Sequence, residues 1–153
     1  YWRDWSSDVC SSDLEPKKLW NPQSWFLTMK GLIQRNKKIL IVGKNREMIN
    51  TYIKYIPGAY FIDEEDIRKV FWLFSIYKNF IGIDSVFSHI ADSYEHNGIV
   101  LFSDYPLHEW SPVSLNMSII CPGHGELTKE IPLSSVIQLI NQKFLNDENR
   151  MVY

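Results

Sequence analysis

The sequence predicts an α/β fold, namely a Rossmann-like parallel sheet with helices on both faces. Short apolar, β-branched runs typical of buried parallel strands alternate along the chain with longer amphipathic stretches. Such alternation indicates βαβ units, in which the connecting helices cover the sheet. A length of 153 residues and a hydrophobic content of 45% suit one domain with a sizeable core, and no internal repeat or linker divides it.

The first part of the chain is expected to contain two helices and two strands. Pro22 favours the first turn of a helix over residues 23–34, because its fixed φ suits that position. Residues 38–42 form an apolar run typical of a buried strand, and Gly43 makes the turn after it. The other expected elements of this part are a helix over residues 46–55 and a strand over residues 59–62.

The second part continues the alternation. Asp63 is a suitable N-cap for a helix that should run to about Tyr77. Phe71, Trp72 and Phe74 of this helix, together with Tyr77, are expected in the core facing the sheet rather than as a stacking platform. The later expected elements are strands over residues 80–83, 99–102 and 117–120, and helices over residues 84–94 and 132–145.

The first fourteen residues, YWRDWSSDVCSSDL, have neither helical nor strand period. From Asp4 onward they resemble the translation of a common short-read sequencing adapter, so we expect residues 1–14 to be a disordered artefact. The domain then spans residues 15–145, and residues 146–153 form a frayed tail. We also expect the natural protein to continue upstream of residue 15.

Composition excludes several function classes. A formal net charge of −2 implies neither nucleic acid nor an anionic membrane as partner, and no apolar run is long enough to span a bilayer. Cys10 and Cys121 lie in unlike contexts, which argues against a disulfide framework and favours a reducing compartment. No cofactor motif is present.

The candidate site lies at the predicted junction between strand 80–83 and the following helix. Asp84 and Ser85 would sit where helix N–H groups and the positive end of the helix dipole favour a phosphate. His89, four residues after Ser85, would project from nearly the same helix face. Ordinary helix capping by Asp84 and Ser85, with a partly buried His89, explains the same spacing.

These residues resemble the Asp-(Ser/Thr)-Gly-x-x-His-(Ile/Leu)-Ala signature of the heptosyltransferases, glycosyltransferase family 9. Further pieces occur in the family's order, and the resemblance covers about residues 17–145. They are Lys18-Leu19-Trp20-Asn21-Pro22 for its Lys-x-Trp-Pro motif, residues 38–47 for its strand, glycine turn and acidic residue, Leu101-Phe102-Ser103-Asp104 for Phe-Gly-x-Thr, and Ser111-Pro112 for Gly-Pro.

The chain departs from the family pattern at several of these positions. Val86 and Ser103 stand where the family has glycine, and Asp92 stands where small residues are common. A glycine at position 86 would let backbone approach a diphosphate closely, whereas valine brings a branched side chain there.

The resemblance implies the C-terminal half of a GT-B fold, which binds the sugar nucleotide of an inverting, metal-independent glycosyltransferase. The implied donor is ADP-heptose-like, the acceptor is lipopolysaccharide or another glycan, and no cofactor or metal is needed. The implied location is the cytoplasm, at most peripheral to the inner membrane. The family's catalytic base lies in the N-terminal domain, so we expect residues 1–153 alone to be inactive.

The resemblance also implies a role for each donor-binding residue. Lys18 would reach the donor phosphates, Glu47 the ribose, and Asp84 the sugar hydroxyls. Ser85, the backbone at Val86, and His89 would hold the diphosphate, and Gly43 would allow close approach of the nucleotide.

Two other function classes compete with this interpretation. A degenerate GT-B half acting as a non-catalytic binding module is favoured by Val86 and Ser103. A nucleotide-dependent dehydrogenase is disfavoured, because no Gly-x-Gly-x-x-Gly follows any predicted strand.

The remaining histidines carry weaker hypotheses. His96, beside Asn97-Gly98, is expected in a solvated turn. His108 lies in the long loop near the expected cleft and is a lesser candidate for a ligand contact. His124 with Cys121 supplies only two potential metal ligands, which is a poor zinc site.

Overall fold

A computed structural model describes residues 18–42, 54–62, 66–103, 109, 111–123, 125–145 and 151. Along these residues the helices and strands follow one another in the order that the sequence predicts. They are, in chain order, α1 (Pro22–Ile33), β1 (Ile39–Val42), β2 (Ala59–Ile62), α2 (Ile67–Ile76), β3 (Asn79–Ile83), α3 (Val86–Ser93), β4 (Asn97–Leu101), β5 (Met117–Ile120), a 3-10 turn (Thr128–Glu130) and α4 (Leu133–Lys143).

All the strand pairings among the described residues are parallel. β1 pairs with β2, and β3, β4 and β5 form a ladder in that order. In the larger ladder Ile83 is opposite Leu101, and Leu101 is opposite Ile120. The carboxyl ends of β3, β4 and β5 therefore lie side by side along one edge.

Side chains alternate between two buried clusters that cover opposite faces of the strands. The first cluster joins the strands to α1 and α4, and the second joins them to α2 and α3. Strand members of the first are Ile39, Ile41, Ile81, Ile83, Ile99 and Leu101. Strand members of the second are Leu40, Val42, Phe80, Val100 and Met117. Because β1 contributes to both clusters, as β3 and β4 do, the two ladders share one layered α/β core.

The N-terminal helix α1 shows how these elements form. Asn21 accepts a hydrogen bond from Gln23 N and caps the helix, and Pro22 occupies the first turn. Trp25 and Met29, one turn apart, are each 1% exposed on the face that packs into the first cluster. The helix predicted over residues 23–34 is thereby confirmed within one residue at either end.

The helix α2 departs from the prediction in two respects. It begins at Ile67 with Asp66 as its N-cap, so the N-cap predicted at Asp63 is wrong. Phe71 and Trp72, expected in the core, are 41% and 63% exposed. The buried side chains are instead those of Val70, Leu73 and Phe74. Leu73 and Phe74 are three and four positions after Val70, so all three lie on the helix face that packs against β3 and α3.

His96, expected in a solvated turn, is buried. Its ring stacks on Phe74 at 5.4 Å between centroids, and Nε2 lies 2.7 Å from the carbonyl oxygen of Phe74. The histidine therefore provides a hydrogen bond to a buried carbonyl oxygen in the last turn of α2, and its ring does not face water.

Several predicted features lie outside the described residues. They are residues 1–14, most of the predicted helix 46–55, Gly43, Glu47, Asp63, His108, His124 and most of the tail 146–153. Among the described helices, none has the length and apolar character required to cross a bilayer.

Candidate functional site

The candidate site occupies the carboxyl edge of β3, β4 and β5. Asp84 follows β3 directly, and its N–H donates to Leu101 O at 3.1 Å, which extends the ladder to this residue. Ser103 lies two residues beyond the end of β4, and Cys121 follows β5. In parallel α/β sheets, ligands bind beyond this edge.

Lys18 and Asp84 meet at this edge. The Lys18 ammonium lies 3.2 Å from the Asp84 carboxylate, with the two side chains 22% and 8% exposed. A partly shielded ion pair is stronger than one in open water, because the local dielectric is lower. The structure therefore brings together two of the predicted site residues that are 66 positions apart in sequence.

The position of Lys18 is fixed by Trp20. Trp20 is 1% exposed, its indole N–H donates to Ile131 O at 2.8 Å, and its ring packs edge-on against Trp25 with centroids 5.0 Å apart. Buried aromatic residues with a satisfied polar atom are strong anchors. The segment that carries Lys18 is thus held against both α1 and the start of α4.

Ser85 and Ser88 cap the N-terminus of α3 with their side chains. Ser85 Oγ accepts from Phe87 N at 3.2 Å, and Ser88 Oγ lies 3.4 Å from Ser85 N and donates to Ser85 O at 2.7 Å. This reciprocal arrangement satisfies N–H groups that a bare helix end would offer to an anion. Ser88 was not among the predicted site residues, although the Ser-x-x-Ser spacing indicates a capping role.

A hydroxyl group can donate and accept at the same time. Accepting from Phe87 N therefore does not prevent the Ser85 hydroxyl from donating to a phosphate oxygen. Val86, which stands in place of the family's glycine, is partly buried and packs against the second cluster. Its side chain is thus engaged with the core, which limits the extent to which it can obstruct a ligand above the helix end.

His89 faces a different surface from the Lys18–Asp84 pair. It is exposed and lines an open groove of about 780 Å³ with Asp92, Glu95 and residues 113–116. Those residues precede β4 or β5 and so belong to the amino edge of the strands. The lining of this groove includes neither Lys18 nor Ser85, so among the described site residues His89 lies apart from the Lys18–Asp84 pair.

Asp92 has a structural role at that amino edge. Its carboxylate accepts from Val113 N and Ser114 N, both at 3.0 Å, and so holds the loop before β5. Lys143 supports the same loop by donating to Asn116 O at 2.8 Å, and burial lowers the pKa of this lysine. These two hydrogen bonds explain why an aspartate stands at position 92, where the heptosyltransferase pattern commonly has a small residue.

Cys121, at the end of β5, is partly buried, and its thiol lies 3.6 Å from Ser103 O. Within the described part of the chain, no group of three or more His, Cys, Asp or Glu side chains is arranged to hold a metal ion. Among the described residues, Lys18, Asp84, Ser85 and Ser103 carry polar groups at the carboxyl edge that are suited to ligand chemistry.

No protein-family model matches this sequence, and no curated protein sequence matches it either. Solved structures do resemble it. The E. coli heptosyltransferase WaaC with ADP matches with a TM-score of 0.79 and 12% identity, over 94% of this chain and 44% of that chain. E. coli ADP-heptose LPS heptosyltransferase II matches with a TM-score of 0.76 and 17% identity, over 96% and 46% of the two chains.

A glycosyltransferase of family 9 from Veillonella parvula DSM 2008 matches with a TM-score of 0.78 and 12% identity, over 94% of this chain and 45% of that chain. The chain thus spans less than half the length of each of these glycosyltransferases. At such identities the likeness concerns the fold. The chain has the glycosyltransferase-like α/β fold that its sequence predicted.

Proposed function

We propose that this chain is the C-terminal, donor-binding half of a metal-independent, inverting glycosyltransferase. The proposed reaction transfers a heptose-like sugar from a nucleotide-diphosphate donor to lipopolysaccharide or another glycan. The observation that carries the proposal is the Lys18–Asp84 ion pair beside the N-terminus of α3, at the carboxyl edge of the sheet. The similar WaaC structure was solved with ADP, which supports a nucleotide as the ligand class.

Lys18 is the proposed phosphate-binding cation. Its side chain is 22% exposed, and its ammonium can donate up to three hydrogen bonds. A donor diphosphate could bind the same ammonium as Asp84 does. An ammonium held at a leaving diphosphate stabilises the charge that develops there as the glycosidic bond breaks.

Asp84 is proposed to accept hydrogen bonds from donor sugar hydroxyls. It is 7% exposed and fixed by its backbone hydrogen bond to β4 as well as by Lys18. A carboxylate held in this way needs little reorganisation to bind a hydroxyl group. Ser85 would add a hydroxyl donor to the diphosphate at the positive end of the helix dipole.

Three further contacts follow from the family resemblance alone. Glu47 would bind the ribose, Gly43 would allow the nucleotide to approach, and His89 would support the phosphates. The open groove at the amino edge, which His89 lines, argues for a weaker contribution from this histidine.

The second candidate function is that of a degenerate GT-B half acting as a binding module. The capping of α3 by Ser85 and Ser88 favours it, because backbone donors are already satisfied there. Val86 in place of glycine favours it as well. Binding measurements separate the two candidates.

The experiment is calorimetric titration of the purified chain with ADP, UDP and GDP. We expect saturable binding of one of them. Lys18→Ala should weaken that binding about tenfold or more, because a charge-assisted hydrogen bond to phosphate is lost. Lys78→Ala is the matched control, since Lys78 is exposed at the opposite end of β3 and should leave the affinity unchanged.

Asp84→Ala tests the sugar contact. It should weaken binding of the nucleotide sugar more than binding of the bare nucleoside diphosphate, because the carboxylate is assigned to sugar hydroxyls. Thermal melting of each variant shows whether the fold persists. Absence of saturable binding to all three nucleotides would reject donor binding and favour the degenerate module.

A further inference from the structure

Ser103 carries a buried hydroxyl that the fold does not use. The residue is 1% exposed, and within the described residues Ser103 Oγ has no hydrogen-bond partner. Leaving a buried hydroxyl unsatisfied costs stability, so such groups in native proteins usually serve a ligand or an ordered water. The carbonyl oxygen of Ser103 accepts a hydrogen bond from the Cys121 thiol. The side-chain hydroxyl therefore remains the group without a partner among the described residues.

Ser103 and Ser85 follow the ends of neighbouring strands. Ile83 is opposite Leu101, and Asp84 N donates to Leu101 O just beyond the end of β3. Ser85 and Ser103 are each two residues beyond this last opposed pair, so both lie at the carboxyl edge of adjacent strands.

Leu101 lies in the first cluster and Phe102 in the second, so the alternation along β4 predicts the Ser103 side chain on the side of the first cluster. Neighbouring strands lie about 4.8 Å apart, so hydroxyl groups at two adjacent strand ends are within reach of one diphosphate.

We propose that Ser103 is a second phosphate-binding serine, whose hydroxyl donates to an oxygen of the donor diphosphate next to Ser85. This inference rests on the proposed function and adds a contact that the family pattern lacks, since glycine is usual at this position. Ser103 is 1% exposed, so contact of its hydroxyl with a phosphate requires the atoms that cover it to move.

Thr128 provides a useful contrast. Its hydroxyl is also buried and, among the described residues, without a hydrogen-bond partner. It lies in the short 3-10 turn before α4, and no strand register places it next to Ser85. The position of Ser103 at the carboxyl edge is therefore the feature that points to a ligand.

The test compares Ser103→Ala with Ser118→Ala, a serine within β5 away from the edge. Probes are inorganic pyrophosphate, the nucleoside diphosphate that the wild-type chain binds, and the corresponding nucleoside. Ser103→Ala should weaken the diphosphate and pyrophosphate about tenfold, the loss expected for a hydrogen bond to a charged group, and leave the nucleoside unaffected. Ser118→Ala should change none of the three.

Stability gives an independent readout. Without ligand, Ser103→Ala should melt at the same temperature as the wild-type chain or higher, because it removes an unsatisfied buried hydroxyl. A lower melting temperature with unchanged diphosphate affinity would overturn the inference and assign the hydroxyl to the fold. Equal diphosphate affinity of Ser103→Ala and the wild-type chain also overturns it, while leaving the proposed function intact. Failure of the wild-type chain to bind any diphosphate rejects both.

Discussion

His96, three residues after α3, packs against the last turn of α2 through a hydrogen bond and a ring contact. Its Nε2 must donate, because the partner at 2.7 Å is the carbonyl oxygen of Phe74, which can only accept. The same ring stacks on Phe74 with an interplanar angle of 16°. One side chain thus satisfies a buried backbone group and fills space between two helices.

Replacing this histidine should be costly. His96→Ala leaves the Phe74 carbonyl unsatisfied and creates a cavity, so the free energy of unfolding should fall by about 2–4 kcal/mol. Urea denaturation measures this. His89→Ala is the control, because His89 is exposed and should change stability by less than about 0.5 kcal/mol. A loss for His96→Ala no larger than the control's would contradict the assigned role.

Local sequence could not reveal the burial of His96. The neighbouring Asn97-Gly98 is typical of a turn, whereas the residue that buries the ring, Phe74, lies 22 positions earlier. The Lys18–Asp84 contact shows the opposite case. Both residues lie in segments that resemble motifs of one family, and that resemblance predicted a shared site, although not the direct ion pair.

Among the elements, α3 was predicted well and α2 less well, for a physical reason. The start of α3 could be predicted because Ser85 closely follows an apolar strand and precedes an amphipathic stretch, as a helix N-cap does. Before α2, four consecutive residues, Asp63-Glu64-Glu65-Asp66, offer acidic caps. The cap is Asp66, whose side chain binds Arg68 N at 3.0 Å.

The cap of α2 should be visible in its titration. Side-chain hydrogen bonds from Arg68, at 2.9 and 2.8 Å, and then the bond from Arg68 N lower the pKa of Asp66 from 3.8 to about 2. Because the folded pKa lies below the unfolded value, the contribution of this carboxylate to stability is present above about pH 3.8 and is lost as pH falls towards 2.

Carboxyl ¹³C shifts measured by NMR against pH report this directly. The midpoint for Asp66 should lie at about 2 and should rise towards 3.8 in Arg68→Ala. Lys69→Ala, which removes a smaller coulombic influence, should move the midpoint less. A midpoint that is unchanged in Arg68→Ala would show that Arg68 does not hold the cap.

At the scale of the whole molecule, the alternation of side chains between two clusters accounts for the fold. Apolar runs such as Ile39–Val42 are buried on every residue, which is possible only with helices on both faces. This is why the fold class could be predicted from periodicity alone. The exposure of Phe71 and Trp72 could not, because it depends on which side of α2 the sheet lies.

What the chain can catalyse by itself also depends on the whole molecule. It spans 44–46% of the glycosyltransferases it resembles, and Lys18, Asp84 and the serines at its carboxyl edge are the proposed phosphate and sugar contacts. We propose that the base which inverting transfer requires at the acceptor hydroxyl lies outside residues 1–153. Incubation of the purified chain with ADP-heptose and a lipopolysaccharide inner-core acceptor should therefore release no ADP above the rate without acceptor. A complete heptosyltransferase assayed in parallel is the positive control. Acceptor-dependent ADP release by the chain alone, abolished by Asp84→Ala, would mean that the base lies within residues 1–153.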